Sequence, residues 1–297
     1  MINLTRRCFF AGAGSLVAAS ALGDGGTHEV PLVKFGLFTD LHHADKDMAN
    51  GGAIPGKVYY RDGLKKMSAA IEKMNTHALD FLIELGDFKD TNVSGSGGKA
   101  NALKYLREAE EVMARFSGDR YHVLGNHDTD SLTKAEFLSN VSNSGQASTL
   151  ANYTFVKNGV RFVVLDTNYI SESDDSGYSE GNWSAAVLSP HLNASQIEWL
   201  GDTVAESVEP CIVCSHHRLD EHAAAGHMIV NHAKVTEIFN KTCGKVRAVL
   251  NGHQHTGGTY NARGVYYYNF RSAALDEHEY YEVEYYASGK IAVRNYV

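Results

Sequence analysis

Phe81-Leu82-Ile83-Glu84-Leu85-Gly86-Asp87-Phe88-Lys89-Asp90 decides the fold: an apolar run, a glycine, then two carboxylates three positions apart. A short apolar run closed by glycine reads as a buried strand, Phe81 to Leu85, ending in a turn. Four other patches repeat that layout. Val33 to Phe38 leads into Asp40-Leu41-His42, and Arg120 to Leu124 leads into Gly125-Asn126-His127-Asp128. Cys211 to Ser215 leads into His216-His217, and Val246 to Leu250 into Gly252-His253-Gln254-His255. Open α/β sheets place ligands in the crevice outside the carboxyl ends of their strands. Patches distant in sequence are therefore expected to converge at one rim. Asp40 and His42, two apart in extended backbone, are expected to face the same way.

Helical spacing fills the intervals. Leu64, Met67, Ala70, Ile71 and Met74 lie on one stripe of Tyr60 to His77, and Leu103, Leu106, Ala109 and Met113 on one stripe of Asn101 to Phe116. Ala194 to Ala205 and Asn231 to Asn240 read as two more helices. Tyr153 to Val156 and Val160 to Asp166 form a hairpin turning at Asn158-Gly159. The tail from Gly258 to Val297 alternates, and its tyrosines and valines suggest several antiparallel strands. The expected fold is α/β, a four-layer αββα sandwich of two mixed sheets flanked by helices, with a dinuclear metal site at the strand carboxyl ends. Ala44 to Lys57, Asn92 to Lys99 and Ile170 to Pro190 read as loops, and loops of that length are often functional.

Carboxylates, imidazoles and one amide in this mixture suit two cations sharing a bridging group. A carboxylate has two oxygens with which to bridge, and water held between two cations becomes a nucleophile for in-line attack on phosphorus. The nitrogen and oxygen donors admit manganese, iron, zinc or nickel. The 297-residue chain is long enough for a substantial core, and its net charge of −8 argues against a nucleic-acid scaffold, which needs lysine and arginine to neutralise phosphates. An acidic enzyme still binds small phosphate esters when metal ions supply the positive charge.

The motif order D-x-H, G-D-x-x-D, G-N-H-D, H, G-H-x-H resembles the calcineurin-like metallophosphoesterase superfamily, from about Val33 to the end of the chain. That resemblance implies one metal on Asp40, His42, Asp87 and His255, and a second on Asp87, Asn126, His216 and His253. It leaves His127 to donate a proton to the leaving oxygen, with Asp128 placed to orient its ring. The family often has proline two residues after the isolated histidine. Arg218 stands there in this chain, and His217 remains an alternative ligand to His216. Arg218 either reaches substrate oxygens or is a solvated loop residue. A narrower similarity, carried by Phe38 to Asp47, Tyr59-Tyr60-Arg61-Asp62, Leu192 to Leu200 and Gly252 to Gly258, is to the manganese-dependent ADP-ribose/CDP-alcohol diphosphatase branch. It implies cleavage of nucleoside diphosphate-linked compounds. Tyr59, Tyr60 and Phe270 then either stack on a base or pack in the core, and Arg61 and His217 join them as substrate-facing candidates.

Residues 1–23 have the layout of a signal peptide: Arg6-Arg7 followed by Phe9, a small apolar run from Ala11 to Leu22, and a cleavage triplet Ala19-Ser20-Ala21. The arginine pair resembles a twin-arginine export signal, implying the twin-arginine translocase as a partner and a periplasmic or secreted product with no membrane anchor after cleavage. The enzyme domain is expected over residues 30–297. Cleavage removes Cys8 and leaves Cys211, Cys214 and Cys243, an odd count unlike a disulfide framework. Cys211 and Cys214 fall on opposite faces of a strand as buried thiols, and pairing of Cys243 with either stays open. Three functions compete: an exported phosphoesterase on small mono- or diesters, a phosphoprotein phosphatase on the same metals, and a non-catalytic metal-binding module.

Overall fold

Alternation along the strands builds the layers. In the computed structural model, which describes residues 29–50, 56–91, 98–175, 177, 189–223, 226–275 and 279–296, strand β1 (Pro31–Phe38) sends Val33, Phe35 and Leu37 to one face and Phe38 to the other. The leader and parts of the three long loops lie outside the described residues. The chain from Pro31 onward is one compact unit.

Sheet one has the order β13-β12-β1-β4-β5, with β4 (Phe81–Glu84), β5 (Asp119–His122), β12 (Tyr281–Tyr286) and β13 (Ile291–Asn295). Its β1, β4 and β5 run parallel, while β12 pairs antiparallel with both β1 and β13. Sheet two has the order β10-β11-β9-β8-β7-β6, with β6 (Tyr153–Lys157), β7 (Val160–Val164), β8 (Cys211–Ser215), β9 (Val246–Asn251), β10 (Thr256–Ala262) and β11 (Val265–Arg271). Its β7, β8, β9 and β11 are parallel and its two edges antiparallel, so both sheets are mixed.

Three apolar clusters separate the four layers. Phe35, Phe81, Phe162, Ile212, Leu250 and Val283 pack between the sheets. Outside sheet one, Met67, Ile71, Leu106 and Met113 bring in α1 (Gly63–Met74) and α2 (Gly98–Met113). Outside sheet two, Leu200, Val204, Val235 and Phe239 bring in α4 (Ala194–Glu206) and α5 (His232–Lys241). The αββα sandwich expected from sequence is therefore the observed fold. Asn158 and Gly159 both take left-handed φ, 49° and 76°, as a tight hairpin turn requires.

Cys211 packs outward under the helices and Cys214 inward between the sheets, both as free buried thiols, so neither pairs with Cys243. Some small elements escaped the sequence reading, among them a 3-10 turn at His127–Thr129. A ribbon of β2 (Ala49–Asn50) with β3 (Lys57–Val58) forms within the expected loop. Helix α3 (Lys134–Leu138) carries a signal that was legible, the reciprocal capping box of Thr133 and Glu136.

Candidate metal centre

The parallel pairing of β1 with β4 continues past the strand ends. The Asp40 N–H donates to Gly86 O at 2.9 Å and the His42 N–H to Asp87 O at 2.9 Å, which zips the first two patches together. Asp40 (φ 52°), His42 (φ 48°), Asp87 (φ 57°) and His253 (φ 66°) are four of the seven non-glycine residues with left-handed φ among those described. Strain of this kind persists where surrounding structure enforces it, commonly at functional sites. It also corrects the extended-backbone expectation for Asp40 and His42: they converge through left-handed turns. Glycines make the crowding possible. A Cβ on Gly125 would lie 2.1 Å from the Asp87 nitrogen, and one on Gly252 would lie 2.0 Å from Thr39 Oγ1 and 2.6 Å from Asp40 Oδ2.

Two donor groups result. Asp40, His42 and His255 form one, with His255 Nε2 3.2 Å from Asp40 Oδ1 and 3.1 Å from His42 Nε2. Asp87, His216 and His253 form the other, with His216 Nε2 3.2 Å from Asp87 Oδ2 and 3.2 Å from His253 Nδ1. Asn126 Oδ1 completes it, 3.1 Å from His216 Nε2. Asp87 Oδ2 also faces His42 Nε2 at 3.6 Å, while Asp87 Oδ1 accepts the His127 N–H at 2.7 Å. One oxygen of Asp87 thus looks toward both groups.

The tautomers follow from the outer contacts. His216 Nδ1 lies 2.8 Å from Leu85 O and His253 Nε2 3.0 Å from Gly226 O, so those nitrogens donate. The opposite nitrogens, His216 Nε2 and His253 Nδ1, then face each other across the site. Burial holds the His253 imidazole down at about 3, with the neighbouring His216 adding to the effect, and burial likewise lowers His42. Asp40 and Asp87 stay ionised far below the usual carboxylate range: burial opposes this, but facing histidines outweigh it. Asp87 and Asp40 in turn hold the His216 imidazole up at about 10 against its burial. Buried carboxylates and imidazoles converging in this number, with nitrogen and oxygen donors, fit two divalent ions in place of that proton.

Other expected residues divide. His217 is buried, with Nδ1 2.7 Å from Thr167 Oγ1, and it belongs to none of the candidate metal groups among the described residues; His216 occupies that position. Asp128 does not orient His127. Its carboxylate accepts the N–H groups of Gly125 (2.8 Å), Phe88 (2.9 Å), Asp87 (3.0 Å) and Lys89 (3.3 Å), clamping two ligand loops together. The carboxylate beside the His127 ring is Asp90, with Oδ1 3.4 Å from Nδ1, and Asp130 lies 3.9 Å away. Asp90 is the second acid of Gly86-Asp87-Phe88-Lys89-Asp90, so its signal was in the first motif read. Burial works against a charged His127, yet Asp90, Asp87 and Asp130 outweigh it and hold the ring up at about 9.

Among the substrate-facing candidates, Phe270 is 4% exposed in the inter-sheet core, which removes it as a stacking surface. Arg218 is buried in a bidentate pair with Asp220 and donates to Gln254 Oε1 at 2.7 Å. Arg61 clasps Asp45 and Asp47 at the surface. Tyr59 and Tyr60 are half-buried, the Tyr59 N–H bonding Ala274 O at 2.7 Å.

A sandwich carrying two donor groups around one shared aspartate at its strand ends defines the dimetal phosphoester hydrolases. The family description Calcineurin-like phosphoesterase matches residues 33–257, and this chain belongs to that family. It is 25% identical over 277 residues to a manganese-dependent ADP-ribose/CDP-alcohol diphosphatase of Arabidopsis thaliana, covering 82% of this chain and 86% of that protein. The protein of the same name in Oryza sativa subsp. japonica is 25% identical over 278 residues, covering 82% of this chain and 84% of the relative. A dimetal phosphatase from Danio rerio shares the fold, with a TM-score of 0.74 and 18% identity over 90% of this chain and 100% of that one. The chain is a metal-dependent phosphoric ester hydrolase with two divalent ions as cofactor, which sets aside the non-catalytic module.

Proposed function

We propose that this enzyme hydrolyses the diphosphate linkage of nucleotide-derived substrates, the ADP-ribose or CDP-alcohol class, on a manganese-type metal pair. The supporting observation is the likeness to two plant diphosphatases, each over 82% of this chain. When bound, the cations supply Lewis acidity and the positive charge that an acidic chain lacks. The residues of the chain do the rest. Asp87 fixes the spacing of the two donor groups, and its contact with the His127 N–H ties the acid to them. With Nδ1 of His127 turned toward Asp90, Nε2 is the atom that hands a proton to the departing oxygen. A panel of p-nitrophenyl phosphate, a bis-ester, ADP-ribose and a cyclic nucleotide, run on manganese-reconstituted protein, tests the reading. ADP-ribose is expected to show the highest kcat/KM, and a higher value for the monoester or bis-ester refutes it.

We further propose that residues 1–23 are a leader recognised by the twin-arginine translocase, giving a periplasmic or secreted enzyme. Support comes from Arg6-Arg7, the apolar run and Ala19-Ser20-Ala21 in that order. Arg6→Lys with Arg7→Lys is expected to trap the precursor in the cytoplasm, and unchanged export of the double variant refutes the assignment.

A further inference from the structure

Phosphate esters are anions, and the ligand patches are rich in carboxylates, so cations beside them bear on what the site accepts. Lys89, Arg218 and Lys46 each touch a residue next to the ligands. Lys89 is fully buried, its ammonium shared among Asp130, the His127 carbonyl and Thr91 Oγ1. Arg218 is committed to Asp220 and Gln254. Lys46 differs from both, because its side chain is 20% exposed and its Nζ lies 2.8 Å from Asp90 Oδ1.

That oxygen is the one 3.4 Å from His127 Nδ1. The Lys46 ammonium and the His127 imidazole therefore share a single carboxylate oxygen. The position of Lys46 is built. Its ammonium rests over the Tyr60 ring at 4.9 Å, a cation–π contact. The acids on either side of it in sequence, Asp45 and Asp47, are both taken by Arg61. Those neighbours are paired without Lys46, and the same two pairs pin its loop to the start of α1. An ammonium carries three N–H donors, and the contact with Asp90 Oδ1 is an ion pair rather than a hydrogen bond.

We propose that Lys46 binds the second phosphate of a diphosphate substrate and makes the site favour a diphosphate linkage over a monoester. This rests on the diphosphatase reading above. The group leaving from His127 is a carbon-bound oxygen in a monoester, but in a diphosphate it is the oxygen of another phosphate carrying its own negative charge. A cation sharing Asp90 with the acid stands on that leaving side. Tyr60 and Arg61, read from sequence as substrate-facing, serve instead to hold Lys46.

The test compares ADP-ribose with p-nitrophenyl phosphate, both with weakly basic leaving oxygens, on manganese-loaded wild type, Lys46→Met and Lys46→Arg. Calorimetric binding of α,β-methylene-ADP is the readout independent of turnover. In Lys46→Met the ratio of the two kcat/KM values is expected to fall about tenfold or more, the size of one hydrogen bond to a charged group. Binding of the analogue is expected to weaken by a similar factor, with Lys46→Arg recovering most of both. A wild type that does not favour ADP-ribose overturns the diphosphatase reading and this proposal with it. A wild type that favours it, with a variant keeping the ratio within about twofold, overturns Lys46 alone. Equal losses on both substrates also overturn it, since they show Lys46 acting through the field of Asp90 on His127.

Discussion

Asp90→Asn removes one negative charge and little volume. The lost carboxylate lies 3.4 Å from His127 Nδ1, 3.6 Å from His42 Nδ1 and 2.8 Å from Lys46 Nζ. Unit charges about 4 Å apart interact by about 4 kcal/mol at the effective dielectric near a protein surface. Asp87 and Asp130 remain to hold part of the shift. A fall of about 1–3 pKa units in His127 is then expected, at 1.36 kcal/mol each. His127 acts as an acid in its protonated form, so activity declines as pH rises through its pKa. Lowering that pKa moves the alkaline limb of the pH–rate profile toward neutrality by the same interval. Stability gives a second reading in metal-free protein. A histidine raised from 6.5 to about 9 contributes stability that is fully present below 6.5 and lost as pH climbs through about 9. Asp90→Asn should flatten that decline in urea titrations. Metal content measured alongside separates this effect from any loosening of His42. An alkaline limb that stays in place, with activity reduced evenly at every pH, refutes Asp90 as the group that tunes His127.

Asp87→Asn should weaken both metals together because Asp87 Oδ2 faces both donor groups, and elemental analysis finding two full-occupancy metals refutes it. His127→Ala should keep metal yet lose about 10²–10⁴ in kcat, most for poor leaving groups, as a Brønsted series of aryl phosphates will show. Gly125→Ala puts a methyl 2.1 Å from the Asp87 nitrogen, a backbone atom that no rotamer change can relieve. It should cost about 1–3 kcal/mol in thermal unfolding and deplete metal before it unfolds the chain.

What the sequence made legible, and what it did not, follows from the range of the interactions. Buried parallel strands read as short apolar runs because both faces are covered, and Cys211 to Ser215 matched to the residue. Helix ends drifted by a few residues. Tyr60 to His77 contracted to Gly63–Met74; before the helix starts, the Tyr59 N–H bonds Ala274 O and Arg61 turns to Asp45 and Asp47, so the residues entering it serve tertiary partners. The ligand patches were legible because metal donors are few in kind and each follows a strand. The role of Asp128 was not. Sequence shows it beside His127, but its carboxylate is claimed by backbone N–H groups of a loop some forty positions upstream, a pairing visible only once β4 and β5 lie side by side. Asp90 reaches His127 for the same reason, because the parallel register that brings Glu84 level with His122 carries both following loops to one rim. Local spacing therefore identified which residue types do the chemistry, while the assignment of partners among equivalent carboxylates depended on strand register. If Asp90 and Asp128 exchanged roles in the functioning enzyme, Asp128→Asn would move the alkaline limb and Asp90→Asn would loosen the two loops, the reverse of what this register requires.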